Sequence, residues 1–494
     1  MSALPGETEL KLWLLPEDAA AFMELPRLRR ARLAQQRLHT IYFDTPDFAL
    51  ARRGVAMRVR KQGRRWVQTL KTEGEKAGGL SKRLELESAV SGPAPDLARL
   101  PAEAVGALIE KKWRAALVPV YETRFRRSTR NLRAPDGSRV EVALDQGEIL
   151  AGKRSQPLCE VELELKSGSA DALYALAQTF ASRVLLLPFD LSKAERGARL
   201  AAGAKPAPVA ATRPALAAMM PLCAAFARIM GAGLAQLQAN LPGLLQETDP
   251  EYLHQARVAV RRMRSAARLF GRACPLPDEE MGRIAELSRA LGEARDWDVF
   301  VLETLPALSR GLPAQQKSLL ARRAQATRRS ARAAMLALVR RPQTGADLLA
   351  LHRRLNALAG GRGKTGLVGF SAKKLAALHA AVIEGARDFS AQSPEQRHRL
   401  RIRVKRLRYA LDYLGALFGD HKKFLACFEA LQDELGALND ANTAMRFLSD
   451  LNRDRRLDGA VAQIARELEA GMQARLDVGA RLLREFSRLE PPWQ

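Results

Sequence analysis

The sequence predicts an α+β amino-terminal half, an antiparallel sheet closed on itself with helices outside, joined to an all-α carboxy-terminal half. Three observations predict this. Residues 1–200 alternate apolar and charged side chains with a period of two, which puts them on opposite faces of a strand. Residues 215–494 repeat Ala, Leu and Arg at helical spacing, with few β-branched runs. Between them, residues 201–214 form a Pro/Ala-rich linker that neither pattern can cross. The expected domains are therefore 1–200 and 215–494.

The strand half opens on Glu7-Thr-Glu9-Leu-Lys11, which puts two carboxylates and an ammonium on one face and Leu10 and Leu12 on the other. Hard oxygen ligands beside a fixed cation suit a divalent metal together with an anion. Later segments repeat this two-faced character. Arg58 and Arg60 flank Val59, and Lys71 closes the run from Trp66. Arg83, Glu85 and Glu87 alternate with Leu84 and Leu86, and Arg124 and Arg126 flank Phe125. Glu141, Ala143 and Asp145 oppose Val140, Val142 and Leu144; Glu160, Glu162 and Glu164 oppose Val161, Leu163 and Leu165. An ordinary sheet would turn such charges to solvent. Here several cluster by sign, Arg-x-Arg twice and Glu-x-Glu-x-Glu once, whereas a solvated face more often mixes signs. Amphipathic helices at 97–108 and 170–184 can also cover an apolar exterior. A barrel with its charges inside satisfies both observations.

Composition narrows the partners. The net charge of +26 favours polyanions, and it is shared: +15 from residues 215–494, where 44 basic residues meet 29 acidic ones, and +11 from residues 1–214. Cys159, Cys223, Cys274 and Cys427 lack CxxC spacing, which argues against a zinc site or a disulfide framework and for a reducing cytosol. No export signal precedes the first strand, and the apolar stretch 215–237, broken by Pro221 and Arg228, reads as a core helix rather than a membrane span. The expected location is cytoplasmic.

Residues 1–200 resemble the CYTH family, the triphosphate tunnel metalloenzymes. The resemblance rests on Glu7-x-Glu9-x-Lys11, Tyr42-Phe-Asp44-Thr, Met57-Arg58-Val-Arg60, Leu70-Lys71-Thr, Gly79-Leu-Ser-Lys-Arg83-Leu-Glu85, Arg124-x-Arg126, Glu141-x-Ala-x-Asp145, Cys159-Glu160-Val-Glu162 and Leu191-Ser-Lys193, in family order. It implies an eight-stranded antiparallel tunnel that binds a triphosphate end to end. Lys11, Arg58, Arg60, Lys71, Arg83, Arg124, Arg126 and Lys193 would then hold phosphate oxygens. Glu7, Glu9 and one or two of Glu160, Glu162 and Glu164 would hold Mg²⁺ or Mn²⁺, with two ions expected, and Asp145 would be a second-metal ligand or orient water. Glu7, Glu9, Lys11 and Asp145 form the expected catalytic set. Where the family often has a His and an aromatic, this chain has Ser81 and Leu86.

Adenylate cyclase, thiamine triphosphatase and inorganic triphosphatase activities share this constellation. By parity Trp66 and Phe125 are expected near the outer face, leaving no stacking platform for a base or thiazole. A very basic lumen together with the basic second domain then makes inorganic triphosphate the expected substrate, hydrolysed to phosphate and diphosphate. A sensor that binds without turnover remains the non-enzyme alternative.

The helical half repeats itself. His254-x-x-Arg257-x-x-x-Arg261-Arg262-x-Arg264 matches His398-x-x-Arg401-x-x-x-Lys405-Arg406-x-Arg408 at an offset of 144, and so does Leu291-Gly…Asp296 with Leu435-Gly…Asp440. Each basic stripe lies opposite apolar residues: Ala256, Val260, Met263, Ala267 and Phe270 in one copy, Leu400, Val404, Leu407, Leu411 and Leu414 in the other. Clustered like charges repel, and an anion across them relieves the cost. A solvated face, nucleic acid and linear polyphosphate compete as readings; beyond Tyr409 there is little for bases to stack on. These segments resemble the CHAD family, the conserved histidine α-helical domain. That resemblance implies two pseudo-symmetric four-helix bundles, about 215–355 and 365–494, with a groove for long-chain polyphosphate. The expected ligands are His254, Arg257, Arg261, Arg262, Arg264, His398, Arg401, Lys405, Arg406 and Arg408, while Asp296 and Asp440 are read as structural.

Overall fold

Strand β1 (Gly6–Leu14) is the seam at which a sheet meets itself. The computed structural model describes residues 6–360, 366–419, 422–453 and 455–493, so residue 365, where the second repeat is expected to begin, lies outside the described residues. The other strands are β2 (Leu33–Asp44), β3 (Val55–Gln62), β4 (Arg65–Thr72), β5 (Glu75–Ala77), β6 (Leu80–Val90), β7 (Val118–Arg133), β8 (Arg139–Ala151), β9 (Arg154–Ser167) and β10 (Leu186–Pro188). Their order is β10-β1-β9-β8-β7-β2-β3-β4-β6-β5. Because β1 pairs with β6 as well as with β9, eight strands close into an antiparallel barrel. The β8–β9 turn is Gly152-Lys153, and Gly152 adopts the positive φ that so short a hairpin loop requires.

The period-two alternation becomes the two faces of this barrel. Leu10, Leu12 and Leu14 leave β1 on the outside and join Val142, Leu144, Val161 and Leu163. Phe22 and the helix Ala170–Ala181, through Leu173, Leu176 and Phe180, cover them. Met57, Val59, Leu70 and Leu86 lie under Leu100, Val105 and Ile109, from the segment around the helix Ala102–Leu108. Each such side chain contributes about 1.5–3 kcal/mol when fully buried. The barrel is thus stabilised from its exterior, which leaves the interior free for charge.

By packing, the chain divides into two units: residues 1–209 with 238–247 and 340–354, and residues 210–237, 248–339 and 355–494. Within the first unit, Asn240 exchanges hydrogen bonds with the Val209 backbone at 2.9 Å each way. Arg353 donates two hydrogen bonds to Asp171 at 2.6 and 2.5 Å. His352 packs so tightly on Gly78 that a Cβ there would come within 2.2 Å of its ring nitrogen.

Apart from the helix Pro342–Ala359, the remaining long helices among the described residues recur in two sets of four. Leu222–Gln246, Pro250–Phe270, Asp278–Val299 and Ala314–Val339 are followed by Leu367–Gly385, Pro394–Leu414, Lys422–Leu451 and Asp458–Arg488. Equivalent helices start 144 or 145 residues apart. Pro250 and Pro394 each open their helix behind a capping side chain, Asp249 and Ser393. Within the second unit, these two proline-led helices pack against each other. The helix Leu222–Gln246 is long and apolar enough to cross a membrane, and just over half of its apolar window is buried.

One sequence expectation is corrected. Cys223 and Cys274 form a disulfide, with Cα atoms 5.6 Å apart. Their spacing of 51 residues carries no signal because the pairing is made by a helical hairpin that returns the chain to the start of its first helix.

Candidate active site

The strands aim their charged faces into a cavity of about 680 Å³. Nine Lys or Arg and nine Asp or Glu residues line it, so the lumen is nearly neutral rather than merely basic. Buried charges of this number are tolerated only when paired, and the pairing is dense.

One cluster gathers Asp145 of β8 with Glu160 and Glu162 of β9. Each can offer an oxygen within 4.8 Å of the others. The ammonium of Lys193 sits among them, 2.5 Å from Glu160, 2.8 Å from Glu162 and 2.7 Å from Asp145. Ser192 places it there by capping the helix Lys193–Ala201 in a reciprocal box with Glu195. A cation at a helix amino-terminus is ordinarily unfavourable, and the three carboxylates outweigh that cost. Burial opposes charge on Asp145, but Lys193 and Arg127 hold its carboxyl below the usual range; Glu162 lies well below it for the same reasons. Lys193, despite its burial, is pushed up by Asp145, Glu160 and Glu162. Arg196 donates to the other oxygen of Glu160, Oε2, at 3.0 Å, and Lys11 stands 3.6 Å from Glu162.

A second cluster surrounds Glu7 and Glu9 of β1. Arg83 lies 2.6 Å from Glu9 and 3.5 Å from Glu7. Lys71 reaches Glu7 at 3.2 Å and also contacts Glu85. Arg58 reaches Glu85 at 3.1 Å. Burial, then the neighbouring Arg58 and Arg83, push Lys71 down to about 8. Arg60 donates to Thr40 Oγ1 at 3.0 Å, and no carboxylate among the described residues lies within ion-pair distance of it. Burial, then Arg58 and Arg127, lower Arg60 to about 10. Such a cation is ready for an anionic ligand.

The structure thus brings Glu7, Glu9, Lys11, Arg58, Arg60, Lys71, Arg83, Asp145, Glu160, Glu162 and Lys193 together, with Glu164 at the cavity lining beside Lys166. It does not bring in Arg124 and Arg126, which are exposed. The inward residues of β7 are Tyr121, Thr123, Phe125 and Arg127, so Phe125 faces inward, under the Lys193 ammonium at 5.2 Å. With Arg at three of the four positions 124–127, alternation alone could not set the phase of β7, and orienting Phe125 outward set it wrongly. Arg127 donates to both oxygens of Asp145 at 2.7 Å and also contacts Glu162. Its signal was the register with Asp145, which a single strand does not reveal. Asp44, part of a family-like motif, instead accepts backbone N–H groups of Thr45, Leu50 and Ala51 and fixes the loop after β2.

The donor set fits a hard divalent cation. Asp145, Glu160 and Glu162 converge on one cationic point, and Glu7 and Glu9 add carboxylates to the same lumen.

In the second unit, the helices Pro250–Phe270 and Pro394–Leu414 bring Arg257, Arg261, Arg401 and Lys405 near one another. Burial, then Arg401, Arg261 and Arg257, push Lys405 down to about 7. Arg257 pairs with Asp296 at 2.8 Å and Arg401 with Asp440 at 4.0 Å. The Nε atoms of Arg261 and Arg401 are buried without a hydrogen-bond partner. His254 is half-buried, and His398 Nδ1 meets Asn439 Oδ1 at 2.7 Å. Other expected ligands are engaged elsewhere: Arg262 by Asp412 at 3.6 Å and by the Tyr413 ring, Arg264 by Ser288 at 2.8 Å, Arg408 by Gln432 at 3.1 Å. Arg406 is exposed.

Comparison with known proteins finds two families along the chain. Residues 6–198 match the CYTH domain model and residues 228–449 the CHAD domain model. An inorganic triphosphatase of Haemophilus influenzae is 33% identical over 200 residues, 39% of this chain and 54% of that protein. The chain therefore spans about half the length of that relative. The solved CHAD domain from the plant Ricinus communis is 31% identical with a TM-score of 0.52, covering 57% of this chain and 98% of its own.

Proposed function

From a chain that carries a CYTH domain followed by a CHAD domain, we propose a metal-dependent hydrolase that cleaves inorganic triphosphate to phosphate and diphosphate. The observation that carries this reading is the balanced lumen, nine cations against nine carboxylates. A bare polyanion would suit an all-basic lining; a polyanion accompanied by divalent cations is nearly neutral overall and suits a mixed one. The resemblance to an inorganic triphosphatase supports the same substrate.

Lys11, Arg58, Arg60, Lys71, Arg83 and Arg127 would bind phosphate oxygens, the guanidinium groups through paired N–H donors. Glu7, Glu9, Glu160 and Glu162 would hold Mg²⁺ or Mn²⁺, two ions in all, which supply Lewis acidity and an acidified water. Asp145 fixes Arg127 and Lys193 and orients the reacting end. Water attacks the terminal phosphorus, the bridging P–O bond breaks, diphosphate leaves, and the proton passes to solvent. The loose transition state requires chiefly positioning and neutralisation, which this lining provides. With Mg²⁺ present, wild type is expected to release phosphate from tripolyphosphate and Glu7→Ala to lose that turnover. A wild-type protein that binds tripolyphosphate without turnover would make the tunnel a sensor.

The helical half would bind long-chain polyphosphate along Arg257, Arg261, Arg401 and Lys405, with His254, His398 and Arg406 at the margins. Regularly placed cations with little base-stacking surface favour this polymer over nucleic acid. The location that fits is the cytoplasm, at polyphosphate granules.

A further inference from the structure

Arg124 and Arg126, which the structure places outside the tunnel, have company there. Across the β2–β7 ladder Arg126 faces Arg37 and Arg124 faces His39, and Lys61 of β3 lies opposite His39 in turn. Cross-strand partners share a face, so these residues form one basic field on the barrel's exterior. Arg37, Lys61, Arg124 and Arg126 are all exposed. Beneath the field is a depression of about 500 Å³, whose lining includes Arg37, His39, Arg124, Arg126 and Gln146.

Two carboxylates oppose four permanent cations. Glu122 lies 2.6 Å from Arg124 and 2.5 Å from His39, and Glu148 faces Arg124 across the β7–β8 ladder. Among the described residues, Arg126 donates only to the neutral Gln146, at 3.3 Å. Like charges directly opposed on neighbouring strands destabilise a sheet, and a bound polyanion would turn that cost into attraction.

We propose that this field binds linear inorganic polyphosphate outside the barrel while the chain's end occupies the tunnel; the proposal rests on the tunnel reading given above. Gln36 lines the tunnel cavity and its neighbour Arg37 lines the outer depression, so one segment of β2 borders both. The one aromatic among the residues lining the depression, Phe125, turns its ring inward and is 5% exposed, so it offers no stacking surface outside. A polymer read by charge alone fits; one read through its bases does not.

Arginine-selective chemical modification of the full chain, followed by peptide mass spectrometry, tests this site directly. Long-chain polyphosphate is expected to protect Arg37, Arg124 and Arg126, whereas tripolyphosphate at saturation leaves them reactive. Lack of protection by the polymer overturns the proposal, and equal protection by single-stranded DNA of matched charge overturns the choice of partner. A second arm measures long-chain polyphosphate as an inhibitor of tripolyphosphate hydrolysis. The exposed double variant Arg37→Glu/Arg126→Glu should weaken inhibition by about tenfold and flatten its salt dependence, with tripolyphosphate turnover unchanged. Unchanged inhibition overturns the proposal. Protection of the arginines in a chain that hydrolyses nothing would remove the tunnel reading and leave the surface standing.

Discussion

Arg127 faces Asp145 across the β7–β8 ladder and donates Nε–H and Nη2–H to its two carboxylate oxygens, both at 2.7 Å. Asp145 is fully buried, so Arg127→Ala would leave it with Lys193 as its remaining cation, a change that costs about 3 kcal/mol, the low end for breaking a buried pair. The exposed neighbour Arg126 makes no such pair, and Arg126→Ala should stay within about 0.5 kcal/mol of wild type. Denaturant unfolding of both variants checks the phase of β7. A larger loss for Arg126→Ala would mean the strand faces the other way.

Lys71 predicts an alkaline limit. Its ammonium is pushed down to about 8 by burial and then by Arg58 and Arg83, from an ordinary value of 10.5. Between those values the unfolded chain holds more protons than the folded one, so this group makes folding more favourable as pH rises. Phosphate binding goes the other way, because the neutral amine no longer attracts an oxyanion. The kcat/KM for tripolyphosphate should therefore fall with an apparent pKa near 8. Lys71→Arg should move that limb above pH 9, and an unmoved limb would assign it to another group.

Lys405 makes a parallel prediction for the helical half. Burial, then Arg401, Arg261 and Arg257, depress it to about 7. Polyphosphate affinity of the full chain should weaken from pH 6 to pH 8 as this cation is lost, by roughly tenfold if one charged contact disappears. Lys405→Arg, which restores the residue type found at the equivalent Arg261, should remove most of that dependence. Titrations at fixed salt read both proteins.

How much of this was legible beforehand depended on what one strand or helix can reveal alone. The alternation along β1, β3, β6 and β9 marked the inward charges because each apolar partner had an evident outer core to join, as Leu10 and Val161 do. On β7 the run Arg124-Phe125-Arg126-Arg127 fits either phase, and only the register with Asp145 decides it. The repeat of 144 residues was visible because two separate motifs, the His-x-x-Arg stripe and the Leu-Gly…Asp segment, recur at one offset. The grouping of residues 238–247 and 340–354 with the barrel was not, since it rests on contacts such as His352 with Gly78 that join distant segments.

The Cys223–Cys274 bond was equally hidden, and it yields its own test. A bridge that closes a loop of this length contributes about 2–4 kcal/mol. Alkylation and intact-mass analysis of protein purified without reductant should find two thiols, Cys159 and Cys427, and a midpoint of unfolding that drops in Cys223→Ser. Four alkylated thiols would show that the bond does not form and would favour the reducing compartment expected from cysteine spacing.

The central claim is that a barrel lined with paired charges processes a metal-accompanied phosphate chain. The most direct test is phosphate release by the full chain from tripolyphosphate, ATP and thiamine triphosphate, with Mg²⁺ or Mn²⁺ and after chelation. Metal-dependent release that strongly prefers tripolyphosphate is the predicted result. A preference for ATP, cyclic AMP as product, or release that survives chelation would contradict it.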